Sequence, residues 1–175
     1  MEVLMRRAAF TLLACFLCCL TAYPQTPSTI TEQQVIDILN SMDRAARRKN
    51  IAGMTAPLAD DVKIHITLTT SRSDQTRVLS LTKEQYAYQA KMAFKVLYRA
   101  ETFLNIRFKY ALERKNIRIK FYDEGKTALV TSELYERYSA PKVVVHAASS
   151  ESSYLILRDG KLLFTSIETS TRVDF

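Results

Sequence analysis

From Asn116 to Tyr138 apolar and polar residues alternate, and the alternation agrees on both sides of a turn at Glu124-Gly125. With a two-residue turn, Phe121 lies opposite Ala128, Ile119 opposite Val130 and Ile117 opposite Ser132, so one side of a long hairpin is apolar. The other side carries Arg118, Lys120, Tyr122, Thr127, Leu129, Thr131 and Glu133. A slip of one residue would put the apolar set in water, so two strands that agree fix the register more firmly than either alone. A second hairpin is expected from Ser150 to Arg158 and Lys161 to Arg172, joined at Asp159-Gly160. Its register would set Leu157 against Leu162, Leu155 against Phe164, Ser153 against Ser166 and Glu151 against Glu168, unless a bulge within Ser149 to Ser153 shifts it.

Upstream the period changes from two to that of a helix. Thr31 to Lys49 places Val35, Ile38, Leu39, Met42, Ala45 and Ala46 on one stripe, with a Thr31/Gln34 capping box at its start and a basic cluster at its end. Asn50 can cap a short helix, Ile51 to Ala56, ahead of Pro57. Val62, Ile64, Ile66 and Leu68 then alternate with polar residues as a half-buried strand. Ser71 to Gln75 is expected to turn and Thr76 to Leu81 to return. Thr82 opens a third helix through Gln85, with Tyr86, Ala90, Ala93, Phe94 and Leu97 as its main stripe and Tyr88, Met92 and Val96 as a second. Thr102 to Leu112 is expected as strand, and Ala140 to Ala148, with Pro141 at its start, as the one long connection.

Helices gathered early and strands gathered late predict an α+β fold: a curved antiparallel β-sheet wrapped around three N-terminal helices. In this order the chain, over about residues 31 to 172, resembles the nuclear transport factor 2-like superfamily, a cystatin-like cone that includes SnoaL-like polyketide cyclases and ketosteroid isomerases. The first helix ending in RRKN, the stretch IAGMTAPLADDV and the strand pair IRIKFYDEGKTALVTSELYE carry the resemblance. It implies an apolar pocket between sheet and helices, pairing of two copies through the outer faces of their sheets, and no single activity.

The N-terminus changes the picture of where such a domain works. MEVLMRR followed by AAFTLLACFLCCLTA fits the charged and hydrophobic parts of a signal peptide spanning residues 1–22, with residues 23–30 as linker and 31–175 as a single domain. The protein is then expected in the periplasm or secreted. Leu12-Leu13-Ala14-Cys15 offers lipid attachment at Cys15 as the alternative. Cys15, Cys18 and Cys19 are the only cysteines, so cleavage leaves a chain without disulfides or thiol chemistry. It also leaves 23 basic against 17 acidic residues, a net of +6, which favours an anionic envelope surface or an acidic ligand over nucleic acid.

The candidate chemistry is sparse. Asp60 and Asp61 are adjacent, so on a strand they point to opposite faces, and only one of them, taken as Asp61, could serve a pocket as a base. His65 points away from the core with its polar neighbours, and neither it nor His146 has companions at metal-ligand spacing, so no metal is expected. There is no G-x-S-x-G and, with three glycines, no phosphate-cradling loop, so no cofactor is expected. Tyr86 and Tyr154 could each present a hydroxyl to an apolar cavity, as the resemblance to ketosteroid isomerases implies for a tyrosine. Glu168, at the end of an apolar face, is the remaining acid or base candidate. Two functions fit: binding of a small apolar or amphipathic ligand or a protein partner, as a homodimer, or a cofactor-independent isomerase, cyclase or dehydratase using a pocket carboxylate and a tyrosine. A buried carboxylate within hydrogen-bond reach of a tyrosine would favour the enzyme.

Overall fold

The computed structural model describes residues 28–71, 75–141 and 143–174. The expected signal peptide with its three cysteines and the middle of the 71–75 turn lie outside them. Helix α1 runs over Glu32–Arg47, and both halves of its capping box are formed: Thr31 Oγ1 accepts from Gln34 N–H, and Thr31 N–H donates to Gln34 Oε1 at 2.8 Å. Helix α2, Ile51–Thr55, starts at Asn50, whose Oδ1 accepts from Gly53 N–H at 3.1 Å. Strands β1 (Leu58–Thr70) and β2 (Thr76–Leu81) come next, then α3 (Lys83–Leu104) with the Thr82/Gln85 box in place. Strands β3 (Lys109–Tyr122), β4 (Thr127–Ala140), β5 (Val143–Arg158) and β6 (Lys161–Asp174) complete the domain. Two helices precede the sheet, and the third follows its first two strands.

The six strands form one sheet in the order β2-β1-β6-β5-β4-β3. The sheet is mixed, because β1 and β6 run parallel, which corrects the expectation of an antiparallel sheet throughout. One face packs on α1 through Val35, Leu39, Leu58, Ile64, Val130, Leu155 and Phe164, all essentially buried. The β3–β4 register holds through Phe121–Ala128 and Ile119–Val130. The turn chemistry is supplied by Asp123, Glu124 and Gly125, all with positive φ. At Gly125 a side chain would also meet Thr29 at 3.2 Å, where the N-terminal segment crosses the turn.

Two boundaries differ from the sequence expectation. The stretch Thr102 to Leu112 does not begin as strand, since α3 continues to Leu104 and ends at a left-handed Asn105 whose N–H caps the helix carbonyls. The 140–148 connection is not a loop: Ala140 pairs with Val143, and β5 starts there, its polar and small residues His146 to Ser150 carrying strand pairs on both sides. Their composition lacks the apolar alternation that signals a strand, but two neighbouring strands satisfy their backbone groups.

Three irregularities decide which side chains face inward. Between Lys115–Glu133 and Arg118–Thr131 strand β3 holds one residue more than β4, at Asn116 with φ 52°, so Ser132 opposes no single residue and the expected Ile117–Ser132 pair is absent. Strand β6 holds one extra residue, Thr165, between the Leu155–Phe164 and Tyr154–Ser166 pairs. The register beyond it shifts, and Glu151 lies opposite Thr169 while Glu168 lies opposite Ser152. The expected Glu151–Glu168 pair is therefore dissolved by a bulge on the partner strand. Strand β1 breaks register against β6 between Leu58 and Lys63, the stretch that contains Asp60 and Asp61.

Candidate functional site

A cavity of about 430 Å³ lies between α1, α3 and the inner face of the sheet, within the size range of small-molecule sites. One side is apolar: Met42, Ile66, Leu68, Leu79, Leu81 and Phe94. The other is polar and comes from α1, β3, β4 and β5. Without the Asn116 bulge, Arg114 would share a face with Arg118 and Lys120 in solvent. With it, Tyr110, Leu112 and Arg114 join Ile117 and Ile119 on the inside.

Arg114 is held at four points. Its Nε and Nη2 donate to the two oxygens of Asp43 at 3.1 and 3.0 Å, and its Nη1 donates to Ser132 Oγ at 2.7 Å and Glu151 Oε1 at 2.8 Å. The arginine and aspartate side chains are each 8% exposed. Burial alone would lower the Arg114 pKa, but the Glu151 and Asp43 carboxylates outweigh it and hold Arg114 above its ordinary range. Asp43 reaches this position from α1, one helical step along the stripe of Val35 and Leu39.

Beside this knot, Tyr110 donates its hydroxyl to Glu136 Oε1 at 2.5 Å, and the Tyr110 ring stacks on Tyr138 with centroids 4.6 Å apart. Burial pushes the Glu136 carboxyl above its ordinary value, Tyr110 offsets part of that, and Asp43 adds to it. Burial, then the Glu136 charge, raises the Tyr110 phenol as well. Tyr138 is pushed up to about 12 by burial and by Glu136, and Tyr86 to about 12 by burial, Glu151 and Glu136. The site is thus a half-buried carboxylate among three phenols that stay protonated at neutral pH.

Of the residues singled out from the sequence, only Tyr86 lines this cavity. Tyr154 stands on the outer face of the sheet, 46% exposed. Glu168 also faces out, because the Thr165 bulge turned it from the side of Glu151 to that of Ser152, and it lines an outer groove with His65, Arg118 and Glu133. His65 keeps its expected outward orientation, with Nδ1 3.0 Å from Ser80 Oγ. Asp61 is at the surface, where Arg158 at 3.4 Å holds its carboxyl below the usual range, and Asp60 pairs with Lys83 at 2.9 Å. Neither aspartate reaches the cavity. Sequence reasoning missed Asp43, Tyr110, Arg114, Glu136 and Tyr138, and it named Glu151 only as the partner of Glu168. The signal available for Asp43 was a carboxylate on the apolar stripe of α1, and for Glu136 its inward parity with Val130 and Ala128. For Arg114 no such signal exists, since its parity is reversed by the bulge.

No protein-family model matches the chain, and no curated protein matches it. Solved structures do. A candidate scytalone dehydratase from Novosphingobium aromaticivorans DSM 12444 is 13% identical, with a TM-score of 0.57 over 79% of this chain and 82% of that one. An NTF2-like protein from Cytophaga hutchinsonii ATCC 33406 is 15% identical, with a TM-score of 0.52 over 81% and 98%. LinA is 11% identical, with a TM-score of 0.53 over 79% and 84%, and a second LinA structure is named as a hexachlorocyclohexane dehydrochlorinase. At these identities the likeness is one of fold.

Proposed function

Starting from a chain that has the nuclear transport factor 2-like fold, we propose that it is a cofactor-independent acid–base enzyme, a lyase or isomerase acting on a small amphipathic substrate. The observation that carries this is the Tyr110–Glu136 hydrogen bond of 2.5 Å inside the cavity. Oε1 of Glu136 is occupied by Tyr110, so Oε2 is the oxygen left to take a proton from a substrate carbon, and burial makes this carboxylate a stronger base than one in water. The protonated hydroxyls of Tyr86 and Tyr138 can donate to the oxygen or leaving group on which charge develops. The apolar wall of Ile66, Leu68 and Phe94 holds the hydrocarbon part of the substrate. Support also comes from two proteins of like fold named for eliminations, the dehydratase and the dehydrochlorinase.

A nitro-substituted benzisoxazole tests the proposal without knowledge of the natural substrate. A base removes the proton on the isoxazole-ring carbon, that carbon becomes the nitrile as the nitrogen–oxygen bond breaks, and a coloured cyanophenolate is released. The protein should accelerate ring opening with a rate that rises as Glu136 ionises, and Glu136→Gln should lose about 10²–10⁴-fold. Equal rates for parent and variant, both folded, would remove Glu136 from the role of base.

The reading extends to the setting of the enzyme. The domain is proposed to be exported after cleavage near Ala22 and to pair with a second copy through the outer sheet face, where Tyr122, Tyr135 and Tyr154 are about 40% exposed. Native mass spectrometry of the exported protein reads both at once. The expected result is twice the mass of a chain that begins near Tyr23; a monomer, or a chain that keeps Cys15, contradicts the corresponding half.

A further inference from the structure

The cavity holds three carboxylates, Asp43, Glu136 and Glu151, against one guanidinium. Four of its five N–H groups are taken by the protein: Nε and one N–H of Nη2 serve Asp43, and Nη1 serves Ser132 and Glu151, so two of the three carboxylates already offset its charge. An anion entering here would leave its hydration shell and meet a net negative charge, because among the described lining residues three carboxylates stand against one guanidinium. A cation meets the opposite arrangement. Tyr86, Phe94, Tyr110 and Tyr138 line the same space, and an aromatic ring attracts a cation to its face through the negative side of its quadrupole. The upward shift of the Tyr86 phenol, to which Glu151 and Glu136 both contribute after burial, reports the same negative field.

We infer that the polar end of the ligand is a cation, so that the cavity takes an amphipathic alkyl- or arylammonium and rejects the matching carboxylate. The ammonium sits among the carboxylates and aromatic faces, and the hydrocarbon tail lies on the apolar wall of Ile66, Leu68 and Leu79. This rests on the reading of the cavity as the substrate site, but not on the proton-transfer chemistry. It is also independent of the overall positive charge of the chain, which taken alone pointed to acidic ligands. The cavity has the reverse sign because its one arginine is already neutralised.

Isothermal titration of the full chain with phenylbutylammonium, phenylbutanol and phenylbutanoate near pH 8 compares three probes of one shape and different charge. The ammonium should bind about tenfold more tightly than the alcohol, and the carboxylate should bind more weakly than either. Glu136→Gln should narrow the gap between ammonium and alcohol. The ranking in the parent stands whether or not the variant folds. A carboxylate that binds as well as the ammonium, an alcohol equal to it, or no binding by any of the three would overturn the inference. The neutral benzisoxazole reads the catalytic proposal separately, so its ring opening could succeed while the charge ranking fails.

Discussion

Removing Arg114 would leave Asp43 and Glu151 facing one another beneath the sheet, each stripped of water and without a counter-charge. Breaking a buried ion pair from one side costs about 3–5 kcal/mol, a large part of the stability of a domain this size. Arg114→Leu should therefore lower stability by that order in a urea melt, and a loss below about 1 kcal/mol would show that water reaches the cluster. Glu136 is the opposite case, because its carboxyl is held above the ordinary 4.5 by burial. In the pH range between 4.5 and its raised folded value, the native protein binds more protons than the unfolded chain, so stability falls as pH rises through that range and then levels off. Glu136→Gln abolishes the effect. Relative to the parent, the variant should gain stability from about pH 4.5 upward, and parallel stability profiles would show that Glu136 is hydrated in the folded state. Of these residues Asp43 and Glu136 could be found in the sequence, as polar residues on apolar faces. Arg114, amid Glu113, Lys115 and Arg118, has the sequence signature of a solvated cluster.

At the scale of elements, hydrophobic period and capping chemistry located α1, β2 and both hairpin turns, because each is determined by residues close in sequence. Bulges are not. A one-residue excess in β3 or β6 is set by what packs on the far side of the sheet, so the parity read from the turn is right up to Ile117 and Phe164 and reversed beyond. The same limit applies to α3. Its two apolar stripes suggested cover on more than one side, yet none of its residues is fully buried, and Tyr88, Val96, Tyr98 and Phe103 are 61–89% exposed. By contrast, α1 buries Val35, Leu39, Asp43 and Ala45. Since local opening follows the amount of buried contact, the amides of α3 should exchange with deuterium well before those of α1. Because α3 forms one wall of the cavity through Tyr86, Ala90 and Phe94, that opening would admit the ligand. Equal protection of the two helices would argue for a cavity entered by another route.

For the whole molecule, the α+β order and the wrapped sheet were legible because helical and strand periods segregate along the chain. The parallel contact between β1 and β6 was not, since nothing local in either strand names a partner about 100 residues away, as Ile64 is from Ile167. That contact also fixes a schedule. Strand β6 is synthesised last but sits inside the sheet between β1 and β5, so both wait for it with open hydrogen-bonding edges. At about 5–20 residues per second the wait for β1 is roughly 5 to 20 seconds. An emerging chain cannot close its sheet prematurely. Its sheet stays incomplete until β6 has been made, which is the condition a protein needs if it must cross a membrane before it folds.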